Sequence, residues 1–251
     1  MSKIRDALRK SEGEFQRTGA PRDPVRPPAR PRGEGRLSLV PALSAEVLAH
    51  YELIGKQVDV ALGETASRAL VFTASLRGEG CSTVISQYAE TLARRGDRVL
   101  LVDGNARHPS LHHFFNAPDS PGLAELVNGD APPEAIVHST GFTNLSIVPL
   151  GRCADRSHSE HISDFLGEYV GRVATEFDFV LVDVDYVGSP FFSSSAVNAG
   201  DGVVLIVRAG KTNREVATRA CETVRRVGGN ILGVILNRRQ FPIPDFIYRR
   251  L

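Results

Sequence analysis

Apolar residues follow two different periods along this chain. Short runs that are apolar almost throughout are typical of strands covered on both faces of a sheet. Between them, apolar residues recur every three to four positions, as in amphipathic helices. The predicted strands span residues 69–73, 98–103, 145–149, 179–183, 202–207 and 232–237, and the predicted helices span residues 43–62, 82–95, 122–128, 161–175 and 213–227. This alternation predicts an α/β fold, a doubly wound and mostly parallel sheet.

The first 36 residues have a different composition from the rest. Residues 1–16 carry Ile4, Ala7 and Leu8 at helical spacing among charges, which predicts a short amphipathic helix. Residues 17–36 are rich in proline and arginine and are predicted to be a disordered linker. The α/β domain is therefore assigned to residues 37–251.

Charge and composition restrict the function classes. The 251 residues carry a formal net charge of +1, which argues against nucleic acid as a partner. The three cysteines are far apart in sequence, which favours a reducing compartment and argues against a disulfide framework. No apolar run reaches the roughly 18 residues that a membrane-spanning helix needs. We expect a cytoplasmic protein.

The segment between the first predicted strand and its helix has the layout of a phosphate-binding loop. It reads Arg77-Gly78-Glu79-Gly80-Cys81-Ser82-Thr83. In such loops, glycines let backbone N–H groups converge on phosphates, a lysine bridges the outer phosphates, and a Ser or Thr hydroxyl binds Mg²⁺. Cys81 stands where the lysine belongs. The sequence therefore predicts a cradle at residues 77–83 without its cation; an ordinary tight turn is the alternative.

Two aspartates end predicted strands and should lie beside this loop. Asp103 and Asp183 each follow a run of apolar residues directly. The carboxyl ends of parallel strands meet at one edge of the sheet, where ligands of such sheets bind. We interpret both as Mg²⁺ ligands together with Ser82, and Asp103 also as a catalytic base. Either aspartate alone is also compatible with a helix cap.

These motifs carry a family resemblance. The loop, the block Asp103-Gly-Asn-Ala-Arg107-His-Pro109, the later Leu-Val-Asp183 and the late Leu-Asn237 resemble the bacterial tyrosine autokinases of capsule and exopolysaccharide assembly. That family belongs to the deviant P-loop ATPases, which include MinD and ParA. The resemblance implies a P-loop NTPase type of sheet and ATP or ADP with Mg²⁺ as cofactors. It assigns the nucleotide to residues 77–83, Arg107 and Asn237, the metal to Ser82, Asp103 and Asp183, and base catalysis to Asp103.

The chain departs from that family at several functional positions. Cys81 replaces the loop lysine, and Asn105 replaces the second aspartate of an Asp-x-Asp pair. Residues 184–186 replace the Thr-Pro-Pro that usually follows Asp183. None of the three residues of the oligomerisation motif remains, and the tail holds only Tyr248 where the kinases carry a tyrosine cluster. We interpret these joint changes as loss of phosphotransfer.

The sequence thus favours a degenerate tyrosine-kinase-like P-loop protein. It is expected to act as a regulatory or adaptor subunit in exopolysaccharide or capsule biosynthesis, peripheral at the inner membrane. The expected partner is an inner-membrane polysaccharide co-polymerase or chain-length regulator, and self-association is a further possibility. Two alternatives stay open. One is an active ATP-dependent protein-tyrosine autokinase that uses Arg77 as a substitute cation. The other is a MinD- or ParA-like positioning ATPase.

Overall fold

The computed structural model describes residues 43–63, 68–152 and 156–239. The predicted helix at residues 1–16, the linker at residues 17–36, and Tyr248 lie outside the described residues. The described strands are β1 (Arg68–Ala74), β2 (Val99–Gly104), β3 (His138–Ser139), β4 (Leu145–Val148), β5 (Phe179–Val184), β6 (Gly202–Arg208) and β7 (Ile231–Asn237). The described helices are α1 (Ala45–Leu62), α2 (Cys81–Arg95), α3 (Leu111–Phe114), α4 (Leu123–Asn128), α5 (Arg156–Val173), α6 (Ser194–Ala199) and α7 (Arg214–Arg226).

The strands form one sheet in the order β3-β4-β2-β5-β1-β6-β7. Every pairing is parallel except that of β3 with β4. The chain passes from β1 outward to β2 and back through β5 and β6, so its helices lie on both faces. The predicted α/β, doubly wound and mostly parallel sheet is confirmed.

Both faces of the sheet are buried, which explains why the strands are apolar throughout. In β1, Ala69 and Val71 pack with α5 and α6 on one face, whereas Leu70 and Phe72 pack with α1 and α2 on the other. Successive side chains of a strand point to opposite faces, so each position in a central strand must be apolar. This double burial fixes the strand ends, and with them the loops that form the site.

The apolar pattern missed three short elements. Helices α3 and α6 and the two-residue strand β3 were not predicted, and α5 begins at Arg156 rather than at residue 161. Helix α6 lies in a serine-rich segment, where the hydroxyl of Ser193 accepts a hydrogen bond from the N–H of Ala196 at 3.2 Å. Elements of two to six residues are too short to show a period. In the part of the chain that the structure describes, no helix is long and apolar enough to cross a membrane.

Candidate functional site

The loop between β1 and α2 has the backbone of a phosphate cradle. Gly78 and Gly80 have φ of 81° and 93°, in the left-handed region that favours glycine. A Cβ at Gly80 would also lie 2.4 Å from Nδ2 of Asn237, so a side chain there would displace that amide. Helix α2 begins at Cys81, so the N–H groups of its first turn open toward the loop. Backbone groups can therefore approach an anion here.

Glu79 holds this loop from the inside. Its side chain is 2% exposed. One carboxylate oxygen accepts from the hydroxyl of Ser75 at 2.8 Å and the N–H of Leu76 at 2.9 Å. The other accepts from the N–H of Arg208 at 3.2 Å and from the hydroxyl of Thr212. Glu79, which the sequence assigned to the nucleotide, thus uses both carboxylate oxygens in hydrogen bonds within the protein. These bonds connect the loop to the segment after β6.

A cleft of about 370 Å³ opens above the loop. The loop forms one wall, the segment after β2 the second, and the segment after β5 the third. The cleft brings together the predicted residues Arg77, Gly78, Glu79, Gly80, Cys81, Ser82 and Thr83. Asn105, Phe114 and Tyr186 also line it. Its position at the carboxyl edge of the sheet is the one expected for a ligand site in an open parallel sheet.

Cys81 gives the cradle no positive charge. Burial, followed by the neighbouring carboxylate of Asp183, raises the pKa of the Cys81 thiol well above its usual range. The thiol is therefore neutral at physiological pH. A helix N-terminus alone would favour a thiolate, but the carboxylates around this residue oppose it. The position that carries lysine in an intact loop contributes neither a cation nor an anion here.

Asp103 and Asp183 lie side by side beneath the cleft, and neither is among the residues that line it. They are register partners in the β2–β5 pairing, and both are 0% exposed. Asp103 accepts hydrogen bonds from the N–H groups of Ser110 and Leu111 at 2.8 and 2.9 Å. Asp183 accepts one from the hydroxyl of Ser82 at 2.6 Å through Oδ2. Its Oδ1 is buried and has no hydrogen-bond partner in the described chain.

These two carboxyls titrate far above their usual range. Burial, followed by the charge of Asp183, raises the pKa of Asp103 to about 7 despite its backbone hydrogen bonds. Burial raises the pKa of Asp183 to about 6, although the hydrogen bonds from Ser82 and Cys81 act in the opposite direction. Both groups therefore bind protons more tightly in the folded chain than in the unfolded one. This pair of buried carboxyls favours an added positive charge, either a proton or a cation.

This arrangement predicts a pH-dependent stability. Because both pKa values are raised on folding, the two carboxyls stabilise the fold fully below pH 4, and this contribution is lost as pH rises through about 6 and 7. Asp183→Asn should remove the Asp183 part, since an amide keeps an oxygen for Ser82 and adds no charge. We expect its unfolding free energy at pH 8 to exceed that of the unaltered chain by about 2 kcal/mol.

Urea unfolding at pH 5 and pH 8 measures this effect. The gain should be about half as large at pH 5, because that pH lies between the unfolded pKa of 3.8 and the folded pKa of about 6. Asp130→Asn, at an exposed carboxyl, is the matched control and should leave the stability unchanged at both values. An Asp183→Asn variant that is equally destabilised at pH 5 and pH 8 would contradict the assignment of a charge penalty at this position.

Asp185 stabilises the turn that follows β5. Its carboxylate accepts hydrogen bonds from the N–H of Tyr186 at 2.9 Å and from the hydroxyl of Ser189. The hydroxyl of Thr73 in β1 donates to the backbone carbonyl of Asp185 at 2.8 Å. Asp185 therefore fixes the turn that carries Tyr186 into the cleft, and both of its oxygens are engaged within the protein.

The remaining predicted residues lie in different places. Asn237 connects the loop to the end of β7: its Nδ2 donates to the carbonyl of Glu79 at 2.7 Å, and its Oδ1 accepts from the N–H of Arg238 at 2.8 Å. Arg107 is exposed and lies outside the set of cleft-lining residues. Arg77 is exposed at the rim. Sequence reasoning missed Arg238, which lines the cleft from the end of β7; no local motif marks it.

The residues present fit Mg²⁺ bound together with phosphate. Ser82 and Asp183 form the hydroxyl and carboxylate pair that such a site needs, and the unpartnered Oδ1 of Asp183 adds an acceptor. The described residues contain no group of three or more His, Cys, Asp or Glu side chains arranged to hold a metal alone. Mg²⁺ in phosphate sites takes only one or two protein carboxylates and completes its shell with phosphates and water. The backbone cradle likewise fits a phosphate.

The sheet order, the loop at the end of β1 and the two strand-end aspartates define a protein of the P-loop NTPase class. No protein-family profile matches the chain. Tyrosine-protein kinase CpsD of Streptococcus agalactiae serotype III (strain NEM316) is 27% identical over 173 residues, which is 68% of this chain and 75% of the relative. The succinoglycan biosynthesis transport protein ExoP of Rhizobium meliloti (strain 1021) is 26% identical over 183 residues, covering 72% of this chain and 23% of ExoP.

Solved structures agree with these relatives. The chimerical protein CapA2B2 superposes with a TM-score of 0.71 at 25% identity, over 79% of this chain and 87% of that one. The septum site-determining protein MinD from Pyrococcus horikoshii OT3, solved with Mg-ADP, superposes with a TM-score of 0.61 at 24% identity. The match covers 73% of this chain and 76% of the MinD chain, and it shows a shared fold alone. The chain is thus similar to the bacterial tyrosine autokinases of capsule and exopolysaccharide biosynthesis, which is the resemblance that its motifs predicted.

Proposed function

We propose that this chain is a degenerate member of its family that acts as a regulatory or adaptor subunit of polysaccharide biosynthesis and export, and that it binds nucleotide weakly. One observation carries the proposal: a neutral thiol occupies the lysine position of an otherwise formed cradle. Phosphoryl transfer depends mainly on positive charge placed where negative charge develops. A cradle without that charge retains its shape and loses most of its catalytic value.

The second motif supports the same conclusion. Asn105 stands where the family has the second aspartate of its Asp-x-Asp pair. In the structure its Oδ1 accepts a hydrogen bond from the N–H of His108 at 3.0 Å, so its side chain closes the turn after β2. An amide contributes no charge to a metal site. The turn is therefore preserved while the carboxylate that would strengthen Mg²⁺ binding is absent.

A nucleotide and Mg²⁺ would be held by few residues. The backbone of residues 77–83 would receive the phosphates, and Ser82 and Asp183 would hold Mg²⁺, with Asp103 beside them. When bound, Mg²⁺ would neutralise phosphate charge. Asp103, with its pKa near 7, would be the group able to hold a proton at this site. The chain's own contribution is thus the shape of the cradle and the pair of buried carboxyls beneath it.

The relatives suggest where such a subunit would act. ExoP is named a succinoglycan biosynthesis transport protein, and the region matched here is 23% of its length. By analogy, this chain would act together with a membrane component of polysaccharide export. We propose an inner-membrane polysaccharide co-polymerase or chain-length regulator as that partner, and a peripheral position at the cytoplasmic face of the inner membrane. Self-association is compatible with the same role.

A phosphotyrosine assay tests the loss of phosphotransfer. The purified full-length chain incubated with Mg-ATP should give no phosphotyrosine signal above that of Asp183→Asn, because the loop lysine that acts in the transition state is missing. An immunoblot with time points measures the signal. A signal in the unaltered chain that disappears in Asp183→Asn would overturn the hypothesis that phosphotransfer is lost. It would establish the second candidate function, an active autokinase.

A further inference from the structure

Two arginines line the cleft, and they reach it from different parts of the fold. Arg77 belongs to the loop itself, whereas Arg238 directly follows β7. Strand β7 pairs with β6, and β6 pairs with β1, the strand that carries the loop. The end of β7 therefore lies beside the loop although the two are far apart in sequence. They are the only Arg or Lys residues among the described residues that line the cleft.

The backbone of Arg238 is held against the loop. Asn237 connects the two, since its side-chain amide bonds both the carbonyl of Glu79 and the N–H of Arg238. Arg238 has φ of 56°, a left-handed conformation that is uncommon for residues other than glycine. Its Nε lies 3.9 Å from the point that a Cβ on Gly80 would occupy. The side chain of Arg238 thus lies close to Gly80, one of the left-handed glycines of the cradle.

The guanidinium of Arg238 is available to a ligand. It is exposed, and it forms no ion pair or side-chain hydrogen bond with the residues that the structure describes. The guanidinium is charged at all physiological pH values and offers N–H groups in a fork that matches two phosphate oxygens. Nearby, Glu79 is fully bonded and Cys81 is neutral, so neither residue competes for this charge or supplies its own.

Arg77 is placed less favourably. It is exposed at the outer turn of the loop, and no hydrogen bond from a neighbouring element fixes its position among the described residues. An arginine that must be ordered on binding loses more side-chain freedom than one whose backbone is already fixed beside the ligand. The alternative in which Arg77 replaces the lysine therefore meets a competitor that only the fold reveals.

We propose that Arg238 is the phosphate-binding cation of this cleft and takes the electrostatic role that Cys81 has given up, with the diphosphate of a nucleotide as its ligand. The proposal rests on the proposed function to the extent that the cradle still receives a nucleotide. It adds that the positive charge comes from Arg238, which follows β7 and lies near Gly80. The charge does not come from Cys81, the first residue of α2.

Calorimetric titration of the full chain with Mg-ADP tests the proposal. Arg238→Asn removes the charge and keeps a residue that tolerates left-handed backbone, whereas Arg238→Lys keeps the charge without the fork. We expect Arg238→Asn to weaken binding at least tenfold, Arg238→Lys to weaken it less, and Arg77→Asn to weaken it less than threefold. Arg226→Ala, at an exposed arginine of α7 outside the cleft, is the control and should bind as the unaltered chain does.

A second comparison separates charge from shape. With Cys81→Lys present, the restored lysine supplies the charge, so adding Arg238→Asn should cost much less than in the unaltered chain. Equal affinities for Arg238→Asn and Arg226→Ala would overturn the proposal, as would a larger loss for Arg77→Asn. A chain that does not bind millimolar Mg-ADP would also overturn it and would leave the adaptor function standing. A phosphotyrosine signal would overturn the adaptor function and leave the role of Arg238 intact.

Discussion

Replacing Cys81 by lysine is expected to tighten Mg-ATP binding by about 1 to 3 kcal/mol, roughly 5- to 150-fold in affinity. The reason is that only the ammonium at position 81 is missing: the glycines have the required left-handed backbone, and the hydroxyl of Ser82 is in place. Lysine is also a better neighbour for Asp183 than a thiol is, because an ammonium beside that carboxylate lowers its pKa and relieves its burial penalty. Calorimetry of the two proteins side by side measures the change.

Cys81→Gln is the matched control for this experiment. Glutamine adds length and polarity without charge, so it should bind no more tightly than the unaltered chain. Equal affinities for all three proteins would show that the loop is not shaped for phosphate and that a tight turn is the better description. Submicromolar binding of ATP by the unaltered chain would contradict the proposal that this chain binds nucleotide weakly.

The residues that sequence reasoning placed correctly are those whose position depends on one strand end. Asp103 and Asp183 follow apolar runs directly, and the parallel sheet brings them into register with each other. The loop lies between a strand and a helix that both have clear periods. These relations are local in sequence, and the rule that parallel strands end at one edge supplies the rest.

The relations that it missed are contacts between distant segments. Asn237 reaches Glu79 across 158 positions, and Thr212 reaches it across 133. Sequence reasoning assigned Glu79 and Asn237 to the nucleotide, whereas in the structure their polar atoms join the loop to β7 and to the turn after β6. The motifs mark Glu79 and Asn237 separately, but no pattern in one chain reveals that two such distant residues are bonded to each other. Arg238 was missed for the same reason.

Glu79 is expected to be the residue on which the loop depends most. Glu79→Ala leaves the N–H groups of Leu76 and Arg208 and the hydroxyls of Ser75 and Thr212 without their shared acceptor. Buried donors without partners cost about 1 to 3 kcal/mol each when water cannot reach them, and bonds to a carboxylate are stronger than those to neutral groups. Part of that cost is recovered as the loop relaxes toward solvent. We expect the unfolding free energy to fall by about 3 kcal/mol.

Urea unfolding of Glu79→Ala, Glu79→Gln and Glu134→Ala measures this dependence. Glutamine retains one acceptor oxygen, so about half of the loss should remain, whereas Glu134 is exposed and its replacement should change little. The stability loss should be accompanied by lost Mg-ATP binding even in the Cys81→Lys background, because a lysine cannot act from a loop that no longer holds its shape. Retained binding by the Glu79→Ala, Cys81→Lys double variant would mean that the cradle forms without this carboxylate, and that β1 and α2 alone determine its geometry.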